Sequence, residues 1–128
     1  MMFKAITLHE PWATWIAMGH KTIETRTHDR FMGLVGKRIV IHAGKTFDRN
    51  AEQMAEDALD GEPAPPILCR MSQIVCTVEV YDSRWLRAAD SAAALCDCTP
   101  DPDCGFQLFG IFLRNPAPIM GLRARGQQ

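Results

Sequence analysis

Residues 4–26 read KAITLHEPWATWIAMGHKTIETR, and the order of apolar and polar positions in them sets the fold. Residues 4–8 have the length and apolar bias of a short strand. Pro11 stands where a helix accepts proline, in its first turn, because the missing N–H would have had no carbonyl partner there. Trp12, Trp15 and Ile16 recur at i, i+3 and i+4, which gives this helix one apolar face. Gly19 supplies the stop, since it enters the left-handed region without a Cβ clash. The run from Lys21 to Arg26 then reads as a second strand carrying two cations and a carboxylate. In a regular strand Thr22, Glu24 and Arg26 share one face, with Ile23 and Thr25 on the other. With Ile23 in the core, Glu24 and Arg26 line the opposite side. Lys21, just past the turn, reaches the same space.

Working outward, Gly33 and the polar residues of 27–34 mark a loop. In residues 37–42, Ile39 and Ile41 alternate with Arg38, Val40 and His42, the pattern of a strand with one strongly apolar face. His42 lies at the edge of the candidate site. Asp48 is placed to cap a helix over 49–59. There Ala51, Met54, Ala55, Ala58 and Leu59 form an amphipathic stripe, opposite Glu52, Glu56 and Asp57. The segment GEPAPP, residues 61–66, cannot continue a helix and reads as a surface connection. Residues 73–81 alternate again, with Ile74, Cys76, Val78 and Val80 on one face. Asp82 or Ser83 is then expected to cap a helix burying Trp85, Leu86, Ala89 and Ala93. Residues 105–114 are apolar on both faces, as in a central or barrel strand, and Pro116 and Pro118 are expected to end it. This succession of short strands and helices with few tight hairpins predicts an α+β fold.

The chain has 128 residues, 47% hydrophobic and 23% charged, which predicts a single domain over 1–128 able to bury a core without disulfides. No apolar run approaches the roughly 18 residues of a membrane span, and residues 1–8 lack the apolar core of a secretory signal. The expectation is a soluble, cytoplasmic protein with no membrane partner. A net charge of −1 excludes a strong overall field for nucleic acid. The distribution is uneven: residues 1–50 carry eight basic and four acidic side chains, residues 51–104 three and eleven, and residues 105–128 three arginines and no acid. A fold that joins the two ends would have a basic face and an acidic back.

The five cysteines, with no secretory signal, read as reduced thiols. Cys69 and Cys76 fit a small-core role. Cys96, Cys98 and Cys104 form the one cluster. Its C-x-C-x5-C spacing differs from the common zinc spacings built on C-x2-C, so neither a metal nor another cofactor is called for.

The block EPWATWIAMGHKTIETR resembles the signature of the ASCH domain, a small module of the PUA-like superfamily. In that signature a Pro-Trp-Ala helix leads into Gly-x-Lys-Thr-(Ile)-Glu-x-Arg. Residues 36–43, the strand at 74–80 and the late strand at 106–115 agree with it, with gaps near 48–72 and 96–105. The resemblance implies a small PUA-like β-barrel of five to six strands with two to three flanking helices. In ASCH-like chains a Gly-x-Gln-Gly-aromatic segment often follows the late strand. Here residues 123–128 carry Arg123 and Arg125 and read Gly126, Gln127 and Gln128 at the end, a departure from that segment.

The resemblance also implies two classes of function. The first is a module binding RNA or a nucleotide through Pro11, Trp12, Lys21, Thr22, Glu24, Arg26 and His42. Arginine clamps phosphate or stacks on a base, lysine supplies a point charge, and glutamate accepts from a base amino group. Trp12 or Trp15 offers a stacking surface. The second is a small hydrolase using Lys21 and Glu24, since related bacterial proteins include an amidohydrolase of N4-acetylcytidine and ribonuclease activity is attributed to others. In that amidohydrolase a threonine stands where this chain has Glu24, assisted by a lysine at the position of Lys21. A lysine acting as base must be neutral, and a neighbouring carboxylate favours the ammonium form. The acyl-cytidine mechanism therefore does not carry over intact. A third reading is an adaptor that docks a protein partner on the acidic face of Glu52, Glu56 and Asp57.

Overall fold

A computed structural model describes residues 4–119 of the chain. Its elements run β1 (Ala5–Glu10), α1 (Trp12–Ala17), β2 (Ile23–Arg26), β3 (Arg38–Phe47), α2 (Ala51–Ala58), β4 (Ile74–Trp85), α3 (Ser91–Ala94) and β5 (Phe109–Pro118). Short 3-10 turns lie at Met32–Leu34 and Ala88–Asp90. The strands form a five-stranded sheet in the order β1-β3-β4-β5-β2. The β1–β3 pair is parallel and the others antiparallel. Register shifts between Thr77 and Glu79 and between Val80 and Asp82 bend the long β4–β5 ribbon, as bulges do. The sheet thereby curls into a half-barrel of α+β type.

The core follows the alternation. Ile39 and Ile41 of β3, Cys76, Val78 and Val80 of β4, and Ile111 and Leu113 of β5 are buried against Ala13, Ile16 and Ala17 of α1. α2 buries Ala51 and Ala55 against Trp15 and Leu95. Trp15 is fully buried, and its indole N–H donates to the Pro66 carbonyl at 3.0 Å. That bond ties the GEPAPP segment down. A third cluster joins Ile23, Leu86, Ala94, Cys96, Cys98 and Phe112. Gly110 belongs beside it: a Cβ there would sit 2.3 Å from Leu86 Cδ2, so only glycine lets β5 and Leu86 approach this closely.

Three expectations need correction. No helix follows Asp82 or Ser83; β4 runs on through Trp85, pairing Asp82 with Phe112 and Trp85 with Phe109. The pairing with β5 outweighs a local capping signal, and Trp85, expected inside, is 42% exposed against the edge of Phe109. The helical residues in this region are instead Ser91–Ala94, ended by Leu95 at φ 58°. The late strand starts at Phe109 rather than 105, and Pro116 does not end it, since it continues to Pro118. β2 pairs with β5 only from Phe109 to Phe112, so Pro116 and Pro118 lie where that side of β5 has no partner strand and a missing N–H costs little. Finally, Asp48 does not occupy the N-cap of α2. Asn50 does, and Asp48 Oδ1 accepts from the Asn50 N–H at 2.9 Å. Arg123 and Arg125 lie outside the described residues. No helix among the described residues is long and apolar enough to cross a membrane.

Candidate functional site

The turn after α1 aims the site. Gly19 takes φ +82°, and the N–H groups of His20 and Lys21 both donate to the Trp15 carbonyl, at 2.9 and 3.1 Å. The chain reverses there, and the Lys21 side chain runs back under α1. Its Nζ donates to the Ala94 carbonyl, stands 4.9 Å over the Trp12 ring and lies 4.0 Å from Glu24 Oε1. Glu24 Oε2 in turn meets Arg26 Nη2 at 3.2 Å. Lys21 and Glu24 are buried, at 3% and 8% exposure. Arg26 is partly open: its guanidinium covers the Phe31 ring at 5.2 Å. Its buried Nε has no hydrogen-bond partner among the described residues. The result is an alternating cation, anion, cation array along one wall.

This wall faces a cleft of about 290 Å³. Thr7, Leu8 and His9 bring in the end of β1. Trp12, Asp48, Met54, Thr25 and Cys96 complete its lining. Trp12 is half-buried, packed edge-on to Trp15 at 5.3 Å, and its Nε1–H donates to Asp48 Oδ2 at 2.9 Å.

The cleft gathers four of the expected site residues, Trp12, Lys21, Glu24 and Arg26. Three others lie elsewhere. Pro11 is buried at the start of α1. Thr22 is exposed and faces a separate groove with Asn115 and Pro116. β2 begins at Ile23, so Thr22 precedes the regular strand and alternation does not reach it. His42 is buried on β3, with Nδ1 3.1 Å from Thr7 Oγ1 and Nε2 unpartnered among the described residues. It touches the cleft only through Thr7. Conversely, Thr25, expected to point away, lines the cleft. A four-residue edge strand paired only with β5 leaves it open beside Cys96.

Asp48, Met54 and Cys96 were not expected in the site. Met54 sat in the α2 stripe as a packing residue, and Asp48 as a cap. Cys96 was singled out only for its spacing. The Cys96 thiol is drawn below the usual thiol range, by the neighbouring Cys98 thiol first, then by the Lys21 ammonium and the Thr25 hydroxyl, while burial and Glu24 oppose this; the Cys98 S–H itself donates to the Cys96 backbone carbonyl at 3.5 Å. The Cys98 thiol is pushed up, by Cys96 and by burial. Among the described residues, no three His, Cys, Asp or Glu side chains are grouped to hold a metal ion.

Comparison with known proteins bears on the fold and the family. The chain is similar to the crystal structure of ASCH from Zymomonas mobilis, at 15% identity and a TM-score of 0.55, over 93% of this chain and 71% of that one. Two mutants of that protein give TM-scores of 0.52, at 16% and 15% identity, over 91% and 90% of this chain and 70% of each of theirs. No curated protein matches the sequence. The family model described as ASCH domain matches residues 6–98, a span that includes α1, the Gly19 turn and the cationic wall of the cleft. The chain belongs to the ASCH domain family.

Proposed function

We propose that this protein binds RNA or a nucleotide, and that the cleft between Trp12 and the strand carrying Lys21, Glu24 and Arg26 receives one nucleotide. The observation that supports this most is the meeting of two cations, a carboxylate and an indole in one hollow. A nucleotide offers the matching groups: a phosphate for Arg26, an exocyclic amine for Glu24 and a flat base for the open part of the Trp12 ring. The cleft, about 290 Å³, is at the lower end of small-molecule sites, which run from about 300 Å³. That size favours one nucleotide over a longer bound segment.

The hydrolase reading, with Lys21 and Glu24 acting on an N4-acylcytidine-type nucleoside or on RNA, has less support. Lys21 is engaged as a donor to the Ala94 carbonyl, and Glu24 is held between Lys21 and Arg26. Lys21, already donating to that carbonyl, does not stand free to take a proton from water or a hydroxyl.

The test is fluorescence anisotropy with a short end-labelled single-stranded RNA. Saturable binding should weaken at least about tenfold in Arg26→Ala, as for loss of a charge-assisted contact. The wild-type salt slope should be near about −0.7, matching roughly one phosphate neutralised on a single strand. Equal binding by wild type, Arg26→Ala and Lys21→Ala would overturn the reading. Products formed from the RNA or from N4-acetylcytidine, and lost in Lys21→Ala, would establish the hydrolase instead.

A further inference from the structure

Phe31 belongs to two surfaces. Its ring carries the Arg26 guanidinium of the cleft at 5.2 Å, and it also lines a separate groove of about 220 Å³ with Lys4, Arg30, Gly33, Leu34 and Lys37. The topology brings the three cations together. β1 and β3 run parallel, so Lys4 and Lys37, each just before its strand, reach the same end of the sheet. The segment after β2 adds Arg30. The main chain beneath is tied down: the Lys4 carbonyl accepts from the Val40 N–H at 2.9 Å, the Lys37 carbonyl from the Val80 N–H at 2.9 Å, and the Phe31 carbonyl from the Leu34 N–H at 3.0 Å. Lys4, Arg30 and Lys37 are exposed. Among the described residues no carboxylate lines the groove, and none of its three cations makes an ion pair. Arg84 and Arg114, by contrast, are held by Asp90 and Glu79. Like charges gathered at one hollow repel each other, and a polyanion relieves that repulsion.

We propose that this groove binds the phosphate backbone of single-stranded RNA, so that the protein takes a strand of several nucleotides rather than a free nucleotide. One nucleotide enters the cleft, and phosphates beside it lie along Lys4, Arg30 and Lys37. The groove offers charge and little else: its floor is Gly33, the buried Leu34 and a Phe31 ring already covered by Arg26. That suits a phosphodiester, which Lys and Arg hold without reading sequence, better than a base. The volume, about 220 Å³, is below the roughly 300 Å³ at which small-molecule sites begin. An acidic protein segment is the other polyanion of this kind, and the shared Phe31, which joins groove to cleft, favours RNA. The placement of the neighbouring nucleotide rests on the nucleotide-binding reading of the cleft; the backbone contacts do not.

The test titrates the full chain with end-labelled single-stranded RNA of two lengths, a dinucleotide with a single phosphodiester and a ten-nucleotide strand, from about 0.05 to 0.2 M salt. The wild-type salt slope should be near about −0.7 for the dinucleotide and near about −2.8 for the longer strand, as for one and four phosphates neutralised. The triple variant Lys4→Gln, Arg30→Gln, Lys37→Gln should bring the longer strand back to the dinucleotide's slope. It should also weaken that strand about a hundredfold at 0.1 M salt, three contacts being lost at about −0.7 each. Dinucleotide binding should not change, which also shows that the variant is folded. Lys45→Gln, an exposed lysine outside both hollows, should leave both slopes alone. Equal wild-type slopes for the two lengths, or a triple variant that keeps the steeper slope, would overturn the groove and leave the cleft reading standing. A dinucleotide that fails to bind, beside a long strand whose steep slope the triple variant loses, would keep the groove and sink the cleft reading. Displacement of the long strand by polyglutamate as effectively as by unlabelled RNA would make the groove a site for an acidic protein segment and overturn the assignment to RNA.

Discussion

The indole Nε1 of Trp12 donates a 2.9 Å hydrogen bond to Asp48 Oδ2, joining residues 36 positions apart. The same carboxylate accepts from the Asn50 N–H at 2.9 Å through Oδ1. Asp48 therefore holds two things at once, the ring that forms one side of the cleft and the backbone entering α2. Asp48→Ala should lower stability by about 1–2 kcal/mol, the usual cost of an unpaired donor plus a lost turn bond. Urea denaturation measures this. Free to turn, Trp12 should also weaken RNA binding several-fold. An unchanged midpoint would mean that the bond does not order the indole.

Glu10 is fully buried at the end of β1. It accepts from the Thr14 N–H at 2.9 Å, from the Thr14 hydroxyl, and from the Arg70 N–H at 2.7 Å. One side chain thus caps the first turn of α1 and anchors the segment before β4. Glu10→Ala leaves buried donors without an acceptor and should cost about 3 kcal/mol. Glu10→Gln keeps one acceptor oxygen and should cost less. Chemical denaturation of both variants gives the order, and equal stability of Glu10→Ala and wild type would contradict it.

Arg84 and Asp90 form a two-pronged pair at 2.9 Å on each side. The hydrogen bonds from Arg84 are the first cause of a lowered Asp90 carboxyl, with the Arg87 N–H adding to them. A carboxylate lowered in the folded state contributes stability that is full above its unfolded value, near about 3.9, and is lost as pH falls through its folded value. Asp90→Asn should therefore be less stable than wild type by up to about 1 kcal/mol at pH 7, with the gap closing below pH 4. Urea midpoints at pH 7, 5 and 3 read this out. A gap that widens in acid would reverse the sign.

The local chemistry of residues 4–26 was legible because each step is short-ranged: proline in the first turn, apolar spacing through Trp15 and Ile16, and glycine at the stop. Ile39 with Ile41, and Cys76 with Val78 and Val80, announced their strands by alternation, and all five are buried. What sequence reading missed depends on distant partners. The run from Tyr81 to Trp85 has polar residues typical of a helix start, and only its ladder with β5 makes it a strand. Asp48 and Cys96 enter the cleft because α2 and the loop after α3 pack there, which no spacing rule encodes. Thr25 was misassigned because alternation presumes a regular strand covered on one face, and β2 is a short edge.

The central claim is that the hollow beside Trp12 receives a nucleotide, and the most direct measurement is an amide and indole chemical-shift titration of the labelled full chain with cytidine 5′-monophosphate. The account predicts saturable shifts at the Trp12 indole N–H and at the amides of Lys21, Thr25 and Arg26, absent in Arg26→Ala. Shifts confined to the exposed aromatic residues of the β4–β5 ribbon, Tyr81 and Trp85, or no shifts at millimolar nucleotide, would contradict it.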